Sequence, residues 1–447
     1  MVGYYTRLAL RSFARNPGLT TLMVVAIGLG IAACVITLTI YRAMAGNPIP
    51  QKSDRLYAVT IDSWAAERPA NRDRPTLPPT QLTYKDAKEL FRSEIPERKV
   101  LMYPVTGVVM GGPSQPLPMR LRARLTTADF FPMFDVPFQF GRAWDAKADA
   151  APQPVIVLSR ELNQRLFGGE NSVGRSVRWS NREFRVVGVL AEWHPRPRFY
   201  DLNQGNFNDP EGAYVPWGWG EALELRSAGS IRCWKFEDVT TLFAALLGSE
   251  CTFVQMWVEL PNAAAVARMQ AYVDAYWAEQ HAAGRFARPR NNRLTTVDRW
   301  LVEQEVVQND NRVLVQVAFA FLGVCLINTV GLLLAKFLNE STWSGVRRAL
   351  GASRRQIFVQ HFVEVALLSC AGALAGVVLG ALGLWGVRTM YRATAEDAGG
   401  GYAALAHFDV ASLGWAAALA VTAMLVTGAY PAWRVGRLSP AVSLKSQ

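Results

Sequence analysis

KFLNESTWSGVRRALGASRRQIFVQ, residues 336–360, decides how this chain is read. It sets the arginine pairs Arg347–Arg348 and Arg354–Arg355 around Ala-Leu-Gly-Ala-Ser and joins two long apolar runs, 313–335 and 362–387. The first run is broken only by Gln316 and Asn328. Each is long enough to cross a hydrocarbon core of roughly 30 Å. A short basic segment between two such runs reads as a helix lying across the membrane surface. It would pass force between a soluble partner and the helices on either side. Val346 and Leu350 are its expected apolar knobs, Arg347 and Arg348 its charged contacts, and Gly351 and Ser353 its end.

Outward from that stretch, two further apolar runs complete a set of four. Residues 19–41 carry no charge, and 410–430 form the last run after a short loop, 388–409. Ala43-Met44-Ala45 resembles a signal cleavage site, but the run before it is too long for a secretory h-region. Ahead of it, residues 1–18 space Arg7, Arg11 and Arg15 four apart, on one face of an interfacial helix. The chain has 447 residues and a formal net charge of +11. Most of that charge lies in 1–18, in 336–361 and in the tail, 431–447, with Arg434, Arg437 and Lys445. Charge flanking apolar spans is the positive-inside signature. It predicts a multi-pass protein of a bacterial inner membrane with both termini cytosolic. A nucleic-acid binder would instead gather its charge on a folded domain with a groove, so none is expected as partner. Gly372, Gly376 and Gly380 recur every four residues in the third run, which lets another helix approach closely. Glu364, near the cytosolic end of that run, reads as a snorkelling or arginine-paired carboxylate.

Residues 42–312 read as an α+β domain inserted between the first and second spans. Strand-like segments fall at 55–61, 100–110, 119–125, 155–158, 177–179, 184–190 and 253–260. The last is read as alternating, and the 177–190 pair as turning at Asn181. Thr83 is the expected cap of a helix over 83–95, with Asp86 at its third position. Ser159 caps a second helix that stops at Gly168-Gly169. Residues 262–280 are helical, and 301–311 continue as a stalk helix into the second span. Cys233 and Cys251 are the domain's only cysteines, and the sequence leaves open whether they pair or stay as thiols.

The chemistry sought and not found is also informative. There is no Gly-x-x-x-x-Gly-Lys-Ser/Thr, so no nucleotide phosphate is cradled in that way. There is no His-Glu-x-x-His and no Gly-x-Ser-x-Gly. His194, His281, His361 and His407 are scattered, so no catalytic residue, metal site or cofactor is expected. Polar residues in the spans are few (Thr37, Thr39, Gln316, Asn328), a poor lining for a channel.

Two stretches resemble a known family. VIVLSRELNQRLFGGENSVGRSVRWSNREFRVVGVL (155–190) resembles the periplasmic core domain of MacB-type permeases. GVRRALGASRRQIFVQHFVEVALL (345–368) resembles the cytosolic loop and third helix of the FtsX-like module. The tail, from Tyr430-Pro431-Ala432 to Pro440-Ala441, is similar to the family's closing pattern. The resemblance implies four transmembrane helices with a large extracytoplasmic domain between the first two. It implies the membrane subunit of a type VII ABC transporter: two permeases, alike or paralogous, work with two P-loop ATPase subunits that bind the ATP. The loop helix and a stalk then carry motion outward to drive export. A periplasmic adaptor and an outer-membrane channel are implied partners. With no P-loop in this chain, the ATPase is expected on a separate polypeptide. One departure stands out: Ser341-Thr342-Trp343-Ser344-Gly345 occupies the place of the family's Arg-Glu-Ile-Gly-like run, which lowers the expected coupling. The alternative reading is a membrane scaffold or activator that regulates a cell-envelope enzyme or senses an extracellular ligand.

Overall fold

The computed structural model describes residues 2–110, 117–235, 242–339, 347, 350–393, 405–406 and 410–437. The chain divides into an inserted domain, Gly46–Val306, and a helix unit formed by Met1–Ala45 with Val307–Gln447.

The inserted domain is built on one mixed sheet. Its strands are β1 (Leu56–Thr60), β2 (Leu82–Thr83), β3 (Arg98–Val109), β4 (Met119–Thr126), β5 (Phe138–Gly141), β6 (Val155–Leu158), β7 (Ser176–Trp179), β8 (Arg182–Leu190), β9 (Ala213–Pro216), β10 (Thr252–Glu259) and β11 (Arg293–Thr296). The order across the sheet is β11-β1-β10-β3-β4-β9-β6-β8-β5, with β2 on β10 and β7 bridging β3 and β8. β4–β9 and β6–β8 are parallel. β1 and β11 are antiparallel neighbours with Tyr57 opposite Thr296, so the first and last strands of the domain lie side by side.

Successive strand residues point to opposite faces, and here both faces are covered. Leu101, Tyr103 and Val105 of β3 enter one core with Ile156, Leu158, Met256 and Val258. Their neighbours Val100 and Met102 enter a second core with Val157, Trp257 and the aromatic cluster of Phe130, Phe134 and Tyr200. The strand expected at 253–260 is β10, and every residue from Thr252 to Glu259 is buried. A strand covered on both sides has no solvent face to keep polar.

The expected local signals act as their chemistry dictates. Thr83 accepts from the Asp86 amide at the start of helix Tyr84–Leu90. Ser159 caps Arg160–Phe167, which ends at Gly168 in the left-handed region, φ 66°. Ser180 and Asn181, with φ of 47° and 62°, turn β7 into β8, the backbone that a two-residue hairpin requires. The stalk helix expected across 301–311 is instead two helices, Val297–Glu303 and Asn309–Asn339. Glu305 takes φ 49° between them. Val297 and Trp300 are committed to the domain core, and the Trp300 indole donates to the Phe199 carbonyl at 3.1 Å. That anchoring fixes the first helix before the second begins.

The helix unit contains the N-terminal helix Val2–Arg15 and four helices long and apolar enough to span a membrane: Pro17–Ala45, Asn309–Leu338, Arg354–Tyr391 and Val410–Gly428. Arg7, Arg11 and Arg15 are all exposed on the first of these helices. The third span is longer than the expected 362–387. Helix starts at Arg354 and runs to Ala393, and the fourth runs on to Arg437. Several polar side chains inside the bundle find partners within it. Thr39 Oγ1 meets Ser412 Oγ at 2.8 Å, and Thr37 donates to the Ala33 carbonyl at 2.8 Å. Gln316 and Asn328 lie on the exposed face of the second span.

Candidate functional site

The stretch joining the second and third spans narrows to 340–353, and the reason lies in Ser353. Its hydroxyl accepts from the Gln356 amide at 3.3 Å, while Gln356 Oε1 accepts from the Ser353 amide at 2.8 Å. This reciprocal cap is a helix start signature. It was present in the sequence as Ser353-Arg-Arg-Gln356 but was overlooked there in favour of the arginines. Gly351, with φ 101°, makes the preceding turn, a conformation in which glycine carries no steric penalty.

Of the five residues expected to form the coupling contact, Val346 and Arg348 lie outside the described residues, as do Ser341, Thr342, Trp343 and Ser344. Arg347, Leu350 and Gly351 are described. Arg347 turns toward its own chain. It donates to the Tyr4 hydroxyl at 2.7 Å and to Gln360 Oε1, and its guanidinium lies over the Tyr4 ring. Leu350 does the opposite, with 83% of its surface exposed. Arg347 is thus tied to the N-terminal helix and the third span, while the apolar side chain of Leu350 stands exposed.

Beneath the loop, Lys336 of the second span and Glu364 of the third meet at 2.6 Å. Ser12 donates to the same Glu364 oxygen at 2.7 Å, and His361 Nδ1 lies 3.6 Å from the other. Lys336 also sits over the Phe13 ring at 5.0 Å. Glu364 is therefore a buried, lysine-paired carboxylate, not the snorkelling or arginine-paired one expected. The misreading has a plain origin: the pair is separated by 28 residues, and nothing local in the sequence links them.

The glycine row continues this assembly along the third span. A Cβ built on Gly372 would lie 2.6 Å from Ile27 Cγ2, and one on Gly376 would lie 2.9 Å from Ile31 Cβ. Gly28 of the first span returns the contact against Ala375. At Gly380 the nearest atom, on Val35, is 3.6 Å away, an ordinary contact. The first and third spans thus touch along Gly372 and Gly376. In the inserted domain, Cys233 and Cys251 are joined by a disulfide across 18 residues. Among the described residues no group of His, Cys, Asp and Glu is placed to hold a metal ion.

A model of the MacB-like periplasmic core domain matches residues 20–276, more than half of the chain, and one of the FtsX-like permease C-terminal region matches 315–440. The chain belongs to the MacB/FtsX-like ABC transporter permease family. This permease is 25% identical over 320 residues to the pyoverdine export ATP-binding/permease protein PvdT of Pseudomonas aeruginosa, covering 71% of this chain and 41% of that protein. It is 22% identical over 375 residues to the macrolide export ATP-binding/permease protein MacB of Syntrophobacter fumaroxidans, covering 72% and 46%. The permease thus spans less than half the length of these curated relatives. Among solved structures, the periplasmic region of MacB from Actinobacillus actinomycetemcomitans aligns with 58% of this chain and 96% of its own at 13% identity and a TM-score of 0.36. The permease is a multi-pass membrane protein with four candidate spans, and its inserted α+β domain is a periplasmic core domain.

Proposed function

We propose that this permease is the membrane subunit of an ABC exporter in which motion of an ATPase enters through the 340–353 loop and leaves through the periplasmic domain. The carrying observation is the contrast between Arg347 and Leu350. A loop pinned by Arg347 to Tyr4 and Gln360 moves as one piece with the N-terminal helix and third span. Leu350, exposed, supplies the apolar anchor that docking interfaces use. Arg347 then serves to position the loop, and Val346 and Arg348 share the docking face. The close seam at Gly372 and Gly376 gives the third span a stiff path to the first.

On this reading the loop, the N-terminal helix and the tail are cytosolic, as their basic residues favour. The partners are a P-loop ATPase that binds the ATP, a second permease copy or paralogue, and an adaptor and channel beyond the periplasm. The names of the curated relatives, exporters both, support outward transport. Purifying the permease with its ATPase and measuring ATP turnover tests the proposal. Turnover should rise on complex formation and fall back in Leu350→Asp. A complex whose turnover is indifferent to both would overturn it.

A further inference from the structure

β9 is four residues long and pairs with β4 only from Ala123 onward. The Gly212 amide donates to the Arg122 carbonyl at 3.0 Å, so residues 119–121 of β4 border a gap in the sheet. The gap is a cleft of about 290 Å³, closed on its far side by helix Arg160–Phe167 and by parts of the segment that joins β8 to β9.

Arg120, Arg122 and Arg124 alternate along β4 and so share one face. Arg124 is wholly buried and matched by carboxylates. It donates to Glu211 at 2.5 and 2.9 Å and to Asp201 at 2.7 Å. Arg120 and Arg122 line the cleft instead, with Arg165 from the helix opposite. Among the described residues, none of these three side chains has a hydrogen-bond or ion-pair partner.

The acidic groups of the cleft are in the reverse condition. Glu211 is shared by Arg124 and Arg198, Asp209 is held by Arg196 at 3.0 Å, and Glu161 faces His194 at 3.5 Å. Tyr214, wholly buried, also lines the cleft, and its hydroxyl has no hydrogen-bond partner among the described residues. Three unmatched arginines and Tyr214 thus line a volume in which Glu211 and Asp209 are paired with arginines and Glu161 faces His194. A recess whose unpaired charges are positive concentrates anions, and guanidinium favours carboxylate and phosphate through paired N–H donors.

We propose that this cleft binds a small molecule carrying two or more carboxylate or phosphate groups. Its volume lies at the small end of ligand cavities, so the molecule is metabolite-sized. Arg120 and Arg122 take one end, Arg165 the other, and Trp193 in the wall offers a surface for its carbon frame.

The test uses the full-length permease in nanodiscs of neutral lipid, titrated calorimetrically with citrate, with pyrophosphate, and with glycerol as an uncharged control. Saturable binding of citrate or pyrophosphate is expected, and the stronger of the two identifies the acid group preferred. Affinity should fall at least tenfold in the Arg120→Gln/Arg122→Gln double variant and in Arg165→Gln. It should hold in Arg142→Gln, an exposed arginine outside the cleft. No saturable binding of either anion, or equal affinity in all variants, would overturn the proposal. Neither result depends on whether the permease is coupled to an ATPase.

Discussion

Lys336 and Glu364 form an ion pair at 2.6 Å with side chains only 1% and 3% exposed. Removing one partner of such a pair strands an uncompensated charge, at a cost of about 3–5 kcal/mol, whereas replacing both with apolar residues can be neutral. Lys336→Met and Glu364→Leu should therefore each lower the thermal midpoint of the detergent-solubilised protein sharply. The double variant should recover most of the loss. Additive losses in the double variant would show that the two residues act independently.

The seam between the first and third spans makes a graded prediction. Gly372→Ala and Gly376→Ala force a methyl group against Ile27 and Ile31, whose β-branched side chains have little freedom to yield. Overpacking of this kind costs typically 1–3 kcal/mol. Gly380→Ala meets Val35 at ordinary distance and should be close to neutral. Thermal unfolding of the three variants in one lipid system provides the ranking.

Arg347 and Leu350 should fail differently. Leu350→Asp should abolish ATPase stimulation while leaving the stability of the isolated permease to heat unchanged, because the side chain is 83% exposed and touches little within its own chain. Arg347→Ala releases the loop from Tyr4 and Gln360. It should lower stimulation and also raise protease sensitivity at the loop, and Tyr4→Phe should reproduce part of the effect. Limited proteolysis beside the turnover assay separates the two.

The pair Glu161–His194 predicts a pH dependence. The hydrogen bond from His194 holds the Glu161 carboxyl down at about 2, and the same bond raises His194 above its ordinary value. The Glu161 contribution is present above the unfolded carboxylate value of about 4.3 and is lost as pH falls toward 2. The His194 contribution is present below about pH 6.5 and is lost as pH rises past its folded value. Asp209 at 3.7 Å and Arg196 also face this ring, with opposite effects. Stability from the pair is therefore greatest at about pH 4.5–6.5. Between pH 5.5 and 8.5 the wild-type melting temperature should drop more than that of His194→Gln, and parallel curves would refute the assignment.

Signals confined to a few neighbouring residues were legible in the sequence. The Thr83 and Ser159 caps, the stop at Gly168 and the turn at Asn181 depend on the backbone groups beside them, so they survive folding unchanged. The four spans were legible because hydrophobic length alone defines them. What escaped depends on distant partners. The full burial of β10 needs a second core on its other face. The break at Glu305 reflects Trp300 docking on Phe199. The attachment of Arg347 to Tyr4 crosses 343 residues. The cleft arginines read as an Arg-x-Arg-x-Arg strand, but only the folded domain separates the matched Arg124 from the unmatched Arg120 and Arg122.

The adjacency of β1 and β11 carries a wider consequence. With Tyr57 opposite Thr296, the inserted domain begins and finishes at a single corner of its sheet. A module whose two ends are neighbours can be excised, exchanged or enlarged without disturbing the scaffold that hosts it. The same spans could thereby acquire new inserted domains through recombination, each serving a different task while the helix unit stays constant.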